Sequence, residues 1–177
     1  MTSAVHYQED HESISRSRAD ALLLRLLSQV HLFSGFHRTD LLDVLRVMDK
    51  NQFQSEEYIF HEGDLGDYLY VLISGEVQVL KGQSEIHEIE IAKIQPGETF
   101  GEMALVEHRA RSASIRTMTP CTVLRLNGTS LAHLPKVTSK LHLNIAKLLA
   151  NRLRVSNEII LSLLYQTHST THAIESK

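Results

Sequence analysis

At 177 residues and 42% hydrophobic, the chain is long enough to bury one proper core and reads as a single domain with appendages. Its 18 Lys and Arg against 21 Asp and Glu leave a net charge of −3, which argues against a general attraction to nucleic acid or acidic membrane surfaces. The one cysteine, Cys121, makes no internal disulfide and supplies no cysteine cage for zinc or iron–sulfur, so a reducing cytoplasm fits best.

Residues 1–17 are polar and read as a disordered tail without a signal sequence; no apolar run is long enough to span a membrane. Residues 18–50 read as N-terminal helices. Leu22, Leu23, Leu26, Leu27 and Val30 give an apolar stripe over 18–31. Thr39 and Asp40 mark the start of a second helix over 41–50, with Leu41, Leu42, Leu45 and Met48 on one face. From 51 to 135 the pattern is β. Short runs at 58–61, 68–73, 76–81, 86–92, 112–117 and 121–126 are separated by turn signals such as Glu62-Gly63-Asp64, Ser74-Gly75 and Pro96-Gly97. They predict an antiparallel β-barrel or jelly roll inside an α+β chain.

The unit 136–167 is a predicted helix, strongest from 138 to about 166, followed by a tail at 168–177. Its apolar positions, among them Leu141, Ile145, Leu148, Leu149, Leu153, Val155, Ile159, Ile160, Leu163 and Leu164, cover about half the circumference, too wide for one contact. A helix of this length spans roughly 40 Å, more than the flank of a small barrel. Part of the stripe is therefore expected to meet a second chain, making a homodimer with a contact at Ile160, Leu163 and Leu164.

The chemistry concentrates in 97–114. A strand ending at Phe100 runs into Gly101, then a short helical turn from Glu102, a polar loop, and a strand beginning near Ser112. Glycine at 101 lets backbone approach a ligand, and the unpaired N–H groups of the turn, through Met103 and Ala104, favour an anion. Arg111 returns to the same place and gives a charge-assisted, bidentate partner for a phosphate. Glu102 beside an anion makes sense only as an acceptor for a neighbouring hydroxyl, such as a ribose 2′-OH.

Phe100-Gly101-Glu102-Met103-Ala104-Leu105 followed by Arg111-Ser112-Ala113-Ser114 resembles the F-G-E-x-A-L … R-[ST]-A-[ST] cassette of the cyclic-nucleotide-binding domain family. That family includes catabolite activator proteins and regulatory subunits of cAMP-dependent protein kinase. Ile59 to Asp64 matches its I-x-x-x-G-D turn, and Tyr70 to Val77 its Y-[IV]-[IVL]-x-x-G-x-[VA] strand. The resemblance implies that Glu102 takes the ribose 2′-OH, Arg111 the cyclic phosphate, and Gly101, Ala104 and Ser112 supply backbone or hydroxyl partners. Phe100, Met103 and Ala113 complete the cassette. It also implies that the C-terminal helix closes the pocket, with Ser156 and Asn157 as candidate base contacts.

The expectation is a cytoplasmic cyclic-nucleotide receptor, cAMP preferred and cGMP the alternative ligand, acting through its C-terminal helix on an effector protein. The rival is an interaction or scaffold module that keeps the barrel without a ligand. No Walker loop, nucleophile elbow or zinc-protease helix suggests an enzyme. Of the eleven histidines only His168 and His172 are spaced i, i+4, and no metal or other cofactor is expected. The residues after Tyr165 are too few and too polar for a helix-turn-helix, so no specific DNA binding and no membrane contact are expected.

Overall fold

The computed structural model describes residues 20–82, 87–107 and 109–175, with side chains through Tyr165, Ala104 excepted. The tail expected at 1–17 and the side chains of His168 and His172 lie outside this set. Helix α1 covers 20–27, a 3₁₀ turn covers His31–Phe33, and α2 covers Arg38–Arg46. Helix α1 therefore ends before the predicted 31. The chain tightens there, with Gln29 N–H donating to the Leu26 carbonyl and Val30 N–H to that of Leu27. Asp40 lies inside α2 and accepts from the His37 N–H at 3.0 Å, leaving Thr39 helical instead of capping.

The helix predicted over 41–50 stops at Arg46, because Met48–Phe53 forms strand β1 along β8 (Cys121–Asn127), from Met48 opposite Leu126 to Phe53 opposite Cys121. The remaining strands are β2 Tyr58–Phe60, β3 Tyr68–Ser74, β4 Val77–Lys81, β5 Ile89–Ile94, β6 Thr99–Phe100 and β7 Ser114–Thr117. They form two four-stranded antiparallel sheets, ordered β1-β8-β3-β6 and β2-β7-β4-β5. The short helix α3 spans Glu102–Glu107 and α4 Gly128–Leu131; α4 is capped by Asn127, whose side chain accepts from Thr129 N–H at 2.7 Å.

Strand β3 reads as a continuous apolar run because its sheet is covered on both faces. Leu69 and Val71 join Leu124 and Leu126 of β8 in a core shared with the N-terminal helices and the last helix. Tyr70 and Leu72 face the other way, into the roll, with Val77, Phe100, Ile115 and Val123. Alternation along one strand thus feeds two cores.

The last helix, α5, runs Pro135–Glu175, 41 residues and about 60 Å. It starts earlier than predicted, with Pro135 in a first-turn position that needs no N–H donor. It also continues through the segment read as a tail, which contains neither Pro nor Gly before 175 to stop it. Val137, Leu141 and Ile145 bury its first part. The buried Asn144 side chain donates from Nδ2 to the carbonyls of Leu32 at 2.8 Å and Ser34 at 2.9 Å. Lys140 pairs with Asp40 at 2.6 Å. These ties fasten the start of α5 to the N-terminal helices.

Candidate functional site

The loop between β6 and β7 folds as it does because Gly101 takes a positive φ of 79°, open to glycine with little strain. A Cβ there would also meet Arg111 Nη1 at 2.7 Å and the Tyr68 carbonyl at 2.9 Å. Gly101 therefore makes room for the arginine as well as the turn. Arg111 donates from Nη1 to the Gly101 carbonyl at 2.9 Å, closing the loop on itself. Its guanidinium lies 4.2 Å from the Phe60 ring centroid and 5.7 Å from that of Tyr70, which stacks on Phe100 at 5.0 Å.

Gly66 has an ordinary backbone conformation, yet an added Cβ would sit 2.6 Å from Arg111 Nη2 and 2.9 Å from its Cζ. The missing side chain at 66 is the space that the guanidinium fills. Arg111 is 5% exposed, and burial lowers its pKa from the ordinary value, opposed by Tyr70, Asp67, Asp64 and Glu102 nearby. Among the described residues this buried cation meets one carbonyl and the Phe60 and Tyr70 side chains, which leaves donors for an anion. Beside it a recess of about 270 Å³ is lined by Leu65, Gly66, Asp67 and Arg109.

Glu102, at the start of α3, is 2% exposed. Oε1 accepts from Arg152 Nη1 of α5, and Arg152 Nη2 donates to the Thr99 carbonyl at 2.8 Å. Oε2 is buried with no hydrogen-bond partner among the described residues. A buried carboxylate oxygen left unpaired costs free energy, about 1–3 kcal/mol, until a donor arrives. A hydroxyl is such a donor. The geometry thus sets a cation for an anion, and an acceptor for a hydroxyl, on the two ends of one short loop.

Phe100 is buried against Tyr70, Gly101 is half-buried, and Met103 and Ser112 are exposed, with Ser112 Oγ 3.5 Å from Met103 Sδ. Ala113 is half-buried. The backbone of Ala104 lies within α3. Ser156 and Asn157 are exposed on α5. Ser156, four residues beyond Arg152, shares its face; Asn157, one residue further, does not. Sequence reading missed Arg152, Phe60 and Gly66. Arg152 had a signal: at helical spacing it follows Leu141, Ile145 and Leu148, so a cation lies on the apolar face and implies a buried anion opposite.

Among the described residues no helix is long and apolar enough to cross a membrane, and no three His, Cys, Asp or Glu side chains gather as a metal site.

Residues 50–136 match the family model described as the cyclic nucleotide-binding domain. The chain is 34% identical over 124 residues to the cyclic AMP receptor protein of Thermus thermophilus, covering 70% of this chain and 57% of that protein. It is 30% identical over 120 residues to potassium channel AKT2 of Oryza sativa subsp. japonica, covering 68% of this chain and 14% of the channel. It thus spans less than two thirds of either relative. A solved cyclic nucleotide-binding domain from Methylobacillus flagellatus superposes with a TM-score of 0.70 at 28% identity, covering 81% of this chain and 83% of that one. Cassette, two-sheet roll and long last helix together identify residues 50–136 as a domain of the cyclic nucleotide-binding family.

Proposed function

We propose that the chain is a cyclic-nucleotide sensor that prefers cAMP to cGMP and passes occupancy to a partner protein through α5. One observation carries the reading. The buried Glu102 carboxylate is tied to α5 through Arg152 by one oxygen and, among the described residues, lacks a partner on the other. A ribose 2′-OH supplies the missing donor while Arg111 holds the cyclic phosphate. The ligand then acts on a carboxylate that α5 already touches, and it shifts α5 by its differential affinity for the two arrangements.

The preference for cAMP rests on Ser156 and Asn157, which can serve adenine's exocyclic amine once α5 closes, and on the likeness to a protein named for cyclic AMP. The site residues are Phe100, Gly101, Glu102, Met103, Ala104, Arg111, Ser112 and Ala113, joined by Arg152. The functional form is a cytoplasmic homodimer without specific DNA binding. Leu149, Leu153, Ser156, Ile160 and Leu163 recur at alternating steps of four and three residues, the repeat of a two-helix seam. Ser156 is a polar position within that seam, where it favours one register.

Calorimetric titration with cAMP and with cGMP tests the reading. Saturable binding of cAMP at micromolar or tighter Kd is expected. Silence with both nucleotides would favour a ligand-free scaffold, and a tenfold preference for cGMP would reverse the choice of ligand.

A further inference from the structure

Residues 111–114 are stitched to the turn at 62–64 by three bonds. Gly63 N–H donates to the Arg111 carbonyl at 2.9 Å, Arg111 N–H to the Asp64 carbonyl at 2.8 Å, and Glu62 N–H to Ser114 Oγ at 3.0 Å. A fourth tie comes from another strand. Lys81, the last residue of β4, donates from Nζ to the Ser112 carbonyl at 2.7 Å and to Glu62 Oε1 at 2.6 Å. Glu62 Oε2 accepts from Gly82 N–H at 3.3 Å. The ammonium lies between a carboxylate that holds it and a carbonyl that it holds. Lys81, then the Gly82 N–H, keep the Glu62 carboxyl below its ordinary range.

A trans peptide is planar, so its C=O and N–H point in opposite directions. With the Arg111 carbonyl on Gly63 and the Ser112 carbonyl on Lys81, the N–H groups of Ser112 and Ala113 are turned away from those partners. Neither has an acceptor among the described residues. Two successive unpaired donors following a buried guanidinium suit an anion, provided their directions are set beforehand.

We infer that Lys81 is a positioning residue for the cyclic phosphate: by holding the Ser112 carbonyl it sets the direction of the Ala113 N–H and fixes the stretch behind Arg111 before the ligand arrives. The inference rests on the reading that this cassette takes a cyclic phosphate. Lys81 is 51% exposed. As an ion pair alone it would contribute little to stability. Its effect is expected in the shape of the phosphate seat.

The test compares the parent chain with Lys81→Met, which keeps the stem and removes the charge, and Lys81→Arg, which restores a cation. Calorimetry measures the Kd of cAMP and of its Sp and Rp phosphorothioates, whose affinity ratio reports which exocyclic oxygen is held. Lys81→Met is expected to weaken cAMP by about three- to tenfold and to change the Sp:Rp ratio by at least about threefold. The thermal midpoint should move by less than about 2 °C, and Lys81→Arg should recover most of the affinity and the ratio. Unchanged affinity in Lys81→Met, or a loss shared equally by all three ligands, overturns the positioning role alone. A parent chain that binds none of them overturns that role together with the reading beneath it.

Discussion

The two halves of α5 are made of similar residues and live in different surroundings. From Val137 to Leu149 the helix sinks Val137, Leu141 and Ile145 into the core shared with the N-terminal helices, and Asn144 ties it to the 3₁₀ turn. From 150 to 165 every residue is exposed, among them Leu153 at 62%, Ile159 at 56% and Ile160 at 54%. Arg152 stands at the junction with its fork on Glu102 and Thr99. One half belongs to the domain, the other is joined to it through the Glu102 carboxylate. A signal that reaches α5 at Arg152 therefore enters where the helix changes from buried to exposed.

The largest effect expected is in hydrogen exchange. At concentrations where the chain is monomeric, amides of 150–165 should exchange at least about a hundredfold faster than those of 139–149, because a helix without tertiary packing is marginal. Saturating cAMP should slow exchange beyond 150 and leave 139–149 alone. Equal protection along both halves would abolish the distinction, and unchanged exchange beyond 150 beside clear protection at 100–114 would mean that the ligand is held without being relayed.

Arg111→Ala separates the ligand from the helix without touching either half. It should weaken cAMP by roughly a hundredfold or more, since it removes a charge-assisted partner from a partly buried phosphate, and Arg111→Lys should recover little. Binding as tight as the parent's would mean that the phosphate lies elsewhere.

Asn144→Ala attacks the anchored half. It leaves the buried Leu32 carbonyl and the partly buried Ser34 carbonyl without their donor and should cost about 2 kcal/mol in urea unfolding. By contrast, Leu153→Glu in the exposed half should cost the isolated domain less than about 0.5 kcal/mol and shift sedimentation toward the monomer. A large stability loss at 153 with no change in mass would place that residue in the domain's own core.

The smallest effect is the Asp40–Lys140 tie. The Lys140 hydrogen bond first, then the His37 N–H, lower the Asp40 pKa below 3.8. A depressed carboxylate contributes stability that is present above its unfolded value and is lost as pH falls through the folded one. The thermal midpoint of the parent should thus drop more steeply below about pH 3.8 than that of Asp40→Asn, by a margin limited by solvent screening. Parallel acid limbs would show that the pair does not hold the helix down.

The cassette was legible in the sequence because its parts lie within eighteen residues and each has a distinctive chemical reason. The glycine, the carboxylate and the arginine are tied to one loop, and the loop closes on itself through Arg111 and Gly101. Strand β1 was not legible. Its residues, MDKNQF, are mostly polar, and the spacing of Leu45 and Met48 suits a helix; what makes a strand of them is the edge of β8, 68 to 78 residues away in sequence, to which they pair. Arg152 was hidden for a related reason. Its partner on the other side of the contact, Glu102, belongs to a different element, and helical spacing alone names no partner. Nothing in the sequence around Gly66 sets it apart from a turn glycine, and only the position of Arg111 reveals that it is a space.

The unpartnered oxygen of Glu102 has an evolutionary side. A chain selected for thermal endurance alone would not keep a buried acceptor waiting for a donor, and an apolar residue at 102 would release Arg152, already partly in water, to full hydration. Glu102→Leu should therefore melt no lower than the empty parent while losing its response to nucleotide. In heat challenges without ligand such variants would be enriched, and supplying the nucleotide during the challenge would reverse the selection, since only the parent gains stability by mass action. On the proposed reading, the ligand and not the fold is what keeps a carboxylate at 102.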